Sequence, residues 1–159
     1  MDSIRILLLA IWTLNASTPY SRAEFPSSAA IDKASKKVKE TMTDLGDAFL
    51  GTVGRGTLQQ DNHVMVSLSD TLQVTLERTE HLRTLAVIRE EAVKVDAKLM
   101  STISLMALGN QARIDKAIAR DLKGISSAVQ DAKDPAVIAV AGDIRDRVRE
   151  VRDLWAAVE

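Results

Sequence analysis

The chain has 159 residues, of which 46% are hydrophobic, 3% aromatic and 27% charged, with a formal net charge of −1. That length suits a single domain, and a core so poor in aromatics must be built from Leu, Val, Ile, Ala and Met, which fits a helical bundle better than a β sandwich. The near-neutral charge gives no ground for nucleic acid or an acidic membrane as partner, and the absence of Cys excludes disulfides, thiolate nucleophiles and Cys-ligated zinc.

Residues 1–23 read as a secretory signal peptide. Arg5 and the free amino group form a short positive region. The apolar run Ile6–Leu14 follows, and Pro19 breaks it. Ser21-Arg22-Ala23 puts small residues at −3 and −1, so cleavage is expected before Glu24. A nine-residue run falls far short of the ~20 that a membrane span needs. Cleavage removes Asp2, Arg5 and Arg22, which leaves 19 basic against 21 acidic residues, a charge of −2. The sequon Asn15-Ala16-Ser17 leaves with the signal. No later stretch is apolar enough to span a membrane, so the product is expected to be secreted or periplasmic.

Residues 24–159 read as one helical-bundle domain. Phe25-Pro26-Ser27-Ser28 is a short lead-in, and Ser28 is a suitable N-cap for a first helix over 29–50. That helix carries Ile31, Ala34, Val38, Met42, Leu45 and Phe49 at steps of three or four, one apolar stripe. Lys33, Lys36, Lys37 and Lys39 cluster early in it. Asp32, Glu40, Asp44 and Asp47 balance them, so the cluster reads as a solvated face. Gly51, Gly54 and Gly56 then read as a turn. No strand precedes them and no Gly-Lys-Ser/Thr follows, so they do not make a phosphate loop.

The stretch 57–108 has no Gly and no Pro, and it predicts one long central helix that bends only gently. Met65, Leu68, Leu72, Thr75, Thr79, Leu82, Ala86, Val93, Met100, Ile103 and Ala107 share a helical face, although Arg89 and Asp96 interrupt it. Glu77 with His81 and Glu90 with Lys94 are possible i,i+4 pairs. Residues 63–77 also alternate with a period of two and are rich in β-branched residues, which suits a strand. A lone hairpin in a helical chain would be marginal, so helix is the better reading.

Gly109-Asn110 looks like a helix end, and 111–133 like a new helix on Ile114, Ile118, Leu122, Ile125, Val129 and Ala132. Asp134-Pro135 is a strong boundary, with Asp as N-cap and Pro at the first helical position. The last helix, 135–158, places Val137, Ala141, Ile144, Val148, Val151, Trp155 and Val158 at alternating steps of four and three. That is a coiled-coil rhythm, and these seven residues form a candidate interaction seam for the chain itself or for another chain. Asp143 with Arg147 and Arg149 with Asp153 are possible pairs on its outer side. The expected fold is therefore all-α: an elongated bundle of four to five amphipathic helices with one long central helix and coiled-coil-like packing.

The chemistry of sites is sparse. His63 and His81 are eighteen residues apart, ~27 Å along one helix, and cannot share a metal. Glu77 with His81 lacks the further carboxylates and the second Glu-x-x-His that a bundle metal site uses. No Ser sits in a Gly-x-Ser-x-Gly elbow. The sequence thus points away from an enzyme and calls for no cofactor or metal. It favours an exported protein that works through protein–protein contact or self-association on helix faces. The alternative is an extracellular carrier of lipid or another apolar ligand. Scarce aromatics weigh against that alternative, since interfacial helices usually use Trp and Phe beside Leu.

Overall fold

The computed structural model describes residues 25–158. The signal peptide expected over residues 1–23 lies outside them. Four helices follow one another: α1, Ser28–Arg55; α2, Leu58–Val93; α3, Ala97–Asp131; and α4, Pro135–Ala156. There is no strand among the described residues. α1 and α3 each pack on α2 and α4, α2 and α4 meet across the centre, and α1 and α3 do not touch. Short connections between such neighbours make an up-down-up-down bundle.

Each helix exists because it buries a stripe. In α1 the buried residues are Ile31, Ala34, Ser35, Val38, Thr41, Leu45, Ala48 and Thr52, spaced by one helical turn. In α2 the burial pattern decides between helix and strand. Val64, Leu68, Leu72 and Thr75 are buried, while the alternating Val66 and Val74 face outward. The β-branched threonines are accommodated because their hydroxyls bond back along the helix. Thr75 donates to the Thr71 carbonyl at 2.7 Å and Thr79 to the Thr75 carbonyl at 2.8 Å.

The element boundaries differ from the sequence reading in four places. α1 does not stop at residue 50 but runs through Gly51 and Gly54 to Arg55. Gly56 ends it in the left-handed region at φ 71°. Thr57 N donates to the Thr52 carbonyl at 3.0 Å and Gly56 N to the Val53 carbonyl at 3.1 Å, a Schellman closure. The N-cap of α1 is Ser27, whose hydroxyl accepts from Ala30 N at 3.2 Å. Ser28 instead donates through its backbone N and its hydroxyl to Glu90, each at 2.8 Å.

The expected long helix over 57–108 is two helices. Asp96 separates them: it turns to extended backbone at φ −157° and ψ 122°, and its side chain accepts from Lys98 N at 2.9 Å. An Asp side chain that satisfies the next turn's orphan N–H starts a helix without any Gly or Pro. The polar interruption at Asp96 is thus an N-cap rather than a fault in an apolar face. Conversely, Gly109-Asn110 does not end a helix, and the helix expected over 111–133 is the second half of α3. The buried stripe Ile103, Ala107, Ile114 and Ile118 runs straight through it, and Asn110 bonds the Met106 carbonyl at 2.9 Å.

One end of the bundle is closed by buried polar groups. Asp61 is wholly buried in the first turn of α2 and accepts the backbone N–H groups of Lys133 and Asp134, the latter at 2.7 Å. Asp134 caps α4 by accepting from Ala136 N at 2.9 Å, and it also accepts from Thr57 Oγ1 at 2.9 Å and pairs with Arg55 at 2.7 Å. Burial pushes the Asp134 carboxyl up, but hydrogen bonds from Arg55, Ala136 N–H and Thr57, with the Arg55 charge, outweigh this and hold it below the usual carboxylate range.

Candidate interaction surface

The seam residues Val137, Ala141, Ile144, Val148, Val151, Trp155 and Val158 are all at most 1% exposed. They belong to one core with Ile31, Leu72, Leu82 and Ile118 of the other helices. The structure therefore brings all seven together, but spends them inside the chain, where a second chain cannot reach them. Trp155 lies beside His81, with ring centres 5.7 Å apart, and its indole N–H has no acceptor.

The other charged candidates are also engaged elsewhere than spacing suggests. Glu77 accepts from Gln73 at 3.2 Å rather than meeting His81. Glu90 is taken by Ser28, whose backbone N–H and then hydroxyl hold the carboxyl below its ordinary range, and Lys94 pairs with Glu91 at 2.8 Å. On α4, Arg147 pairs with Glu150 at 2.9 Å and Arg149 with Asp146 at 3.8 Å, both one turn apart in the i,i+3 sense. Of the α1 lysines, Lys36 pairs with Glu40, Lys37 with Glu150 and Lys39 with Glu80. Arg78 and Asp121 tie α2 to α3, and Arg83 pairs with Asp32 across to α1. Such pairs on a surface set register more than they stabilise. Among the described residues no three metal-binding side chains converge, and His63 and His81 do not share a site.

Exposed apolar residues are most numerous at the end of the bundle where the helix lengths differ. α4 has 22 residues, whereas α2 has 36 and α3 has 35. α4 ends level with Gln111 of α3, whose amide donates to the Trp155 carbonyl at 3.0 Å, and with His81 of α2. Beyond that level the α2–α3 hairpin runs on for about 20 Å at ~1.5 Å per residue. α1 accompanies α2 there through Ser28–Glu90, and Phe25 tucks against Arg89, whose guanidinium is 5.1 Å from the ring centre. α3 has no such companion. α3 packs on α2 and α4 rather than on α1, so past the end of α4 it packs on α2.

Apolar side chains are exposed along this hairpin. Val87, Ile88, Val93, Val95, Leu99, Leu105, Met106 and Leu108 are all exposed on this hairpin. Val95 at the turn is 83% exposed and Leu105 on α3 is 66% exposed. Single exposed apolar residues are ordinary, but eight lie on this one projecting hairpin, spread over more than one side of its helices. Sequence spacing missed it because it assigns apolar residues to stripes, not to free ends. One signal was available: Leu99–Ala112 contains fourteen residues and no charge. No helix of the described residues is long and apolar enough to cross a membrane. Comparison with models of known protein families, with curated proteins and with solved structures finds no match.

Proposed function

We propose that this chain is exported, loses residues 1–23, and acts as a non-enzymatic helical protein through protein–protein contact on a helix face. The observation that carries the reading is the projecting α2–α3 hairpin with its eight exposed apolar residues. The seam of α4 supports coiled-coil-like packing within the chain and leaves the hairpin as the face for partners. The charged side chains support a non-catalytic role, because many are held in pairs at the surface rather than isolated in an apolar cleft. The alternative, a carrier of lipid or another apolar ligand, draws less support. The hairpin from Leu85 to Ala112 has no aromatic residue.

A photo-crosslinking residue placed at Leu105 tests this in the cell that makes the protein. It should give a discrete protein adduct, and the same residue at Asp146 on α4 should not. Equal labelling at the two positions, or none at either, would sink the reading. Association with phosphatidylcholine vesicles in place of a protein adduct would favour the carrier.

A further inference from the structure

We propose that the partner of this chain is another protein whose docking helix is acidic, and that the outer crest of α3 from Leu99 to Lys123 receives it. The proposal rests on the interaction reading above and names the partner's chemistry.

The first argument is where the cations of α3 stand. Arg113, Lys116, Arg120 and Lys123 follow one another at steps of three, four and three. All four are exposed, and they lie opposite the buried Ile118 and Ile125, so they share the outermost line of the helix. They span about 15 Å at ~1.5 Å per residue. Lys36, Lys37 and Lys39 on α1 and Arg147, Arg149 and Arg152 on α4 are paired with carboxylates of this chain. Among the described residues none of the four crest cations is so paired, and Arg113 donates instead to the Asn110 side chain at 3.0 Å. The nearby acids sit on the flanks. Asp121 is taken by Arg78 of α2, and Asp115 shares a groove with Arg152 of α4. The next acid on the crest, Asp131, is about two turns past Lys123. The net charge of the chain hides this ridge. Packed helices stand roughly 8–10 Å apart, so α1, which does not touch α3, lies beyond the screening length of about 8 Å, and its acids do not cancel the crest.

The second argument selects a protein among anions. Met106 lies seven residues before Arg113 and Leu99 seven before Met106, so the cationic crest continues into exposed apolar residues. Leu105 falls five turns before Lys123, on its line. A hydrated phosphate or sulfate chain offers such side chains nothing. A helix of another protein can present both in turn, apolar residues to Leu99, Leu105 and Met106 and carboxylates to the cations, at the same three- and four-residue spacing. An anionic bilayer is the weaker match. Polybasic attraction alone is reversible, stable anchoring takes a second signal, and the crest from Leu99 to Lys123 has no Trp, Tyr or Phe to insert.

Gly109 stands on the crest between Met106 and Arg113, and a Cβ there meets nothing within 4 Å. A photo-crosslinking residue at Gly109 of the full-length gene product, in the cell that makes it, should join α3 to a peptide of another protein. Mass spectrometry of that peptide should find Asp or Glu repeating at three- and four-residue steps. Lys116→Glu with Arg120→Glu should cut the adduct about tenfold while the helical circular dichroism holds, and Lys116→Arg with Arg120→Lys should keep it. A peptide of this same chain, a lipid adduct, a peptide without clustered acids, or an adduct indifferent to the charge reversals overturns the proposal. If Gly109 gives no adduct while Leu105 still gives one, the acidic partner is lost and the interaction function stands. No adduct at either position removes both.

Discussion

Val148 sits at the middle of α4 with no exposed surface, between Ile144 and Val151, which are likewise buried. Val148→Ala removes two methyl groups from the core. At ~0.8 kcal/mol for each buried carbon the transfer loss is about 1.6 kcal/mol, and incomplete collapse of the void raises it to about 2–3 kcal/mol. For a domain of this size each kcal/mol moves the midpoint by roughly 3–5 °C, so Tm should fall by about 10 °C. Val148→Asp introduces a carboxylate without a partner and should lose several kcal/mol. Asp146→Ala is the matched control. Its side chain is 55% exposed and 3.8 Å from Arg149, so the change should stay within ~0.5 kcal/mol. The assay is thermal unfolding followed by fluorescence of Trp155, the one Trp left once residues 1–23 are removed. Because the seam is spent inside the chain, Val148→Ala should lower Tm equally at low and high protein concentration. Small and equal effects from Val148→Asp and Asp146→Ala would refute the burial argument. A dimer-to-monomer shift caused by Val148→Ala would refute the assignment of the seam to the core.

The polar closure of the opposite end makes its own predictions. Asp61→Ala leaves the N–H groups of Lys133 and Asp134 without their acceptor, which should cost about 2–4 kcal/mol in a denaturant titration, and Asp61→Asn should cost less because it keeps one acceptor oxygen. Asp134 has a lowered pKa in the fold, so its contribution is complete above the unfolded carboxylate value and is lost as pH falls through the lower folded value. Thermal scans should therefore show stability held down to about pH 5 and falling below about pH 4, with a shallower fall in Asp134→Asn. N-terminal sequencing of the product recovered outside the cytoplasm should read from near Glu24, and a mature product still starting at Met1 would falsify the export reading.

Local chemistry explains which parts of the fold were legible in the sequence. The stripes of α1 and α4 could be read because their spacing is regular, and Asp134-Pro135 could be read because an N-cap acid and a first-position Pro both fit a helix start. The turn at 94–96 was hidden by looking for Gly and Pro alone. Asp96 followed by a helical pattern was the signal, with β-branched Val93 and Val95 beside it. Gly109 misled in the opposite sense, since a single Gly inside a well-buried stripe weakens a helix without ending it. The seam of α4 shows a deeper limit. Periodicity reveals that one face is apolar, and it reads the same whether that face meets its own chain or another. Only the packing of four helices decides this, and here it turns all seven residues inward.

The same packing divides the molecule by task. At the end near Asp61 and Asp134, buried carboxylates satisfy the starts and connections of three helices, so changes there should act on folding. At the other end the projecting hairpin carries exposed apolar residues, so changes there remove little from the folded state. Leu105 already meets water for most of its surface, and replacing it should barely move Tm. Association should respond in the reverse order: strongly to Leu105 and Met106, weakly to Asp61 as long as the bundle stays folded.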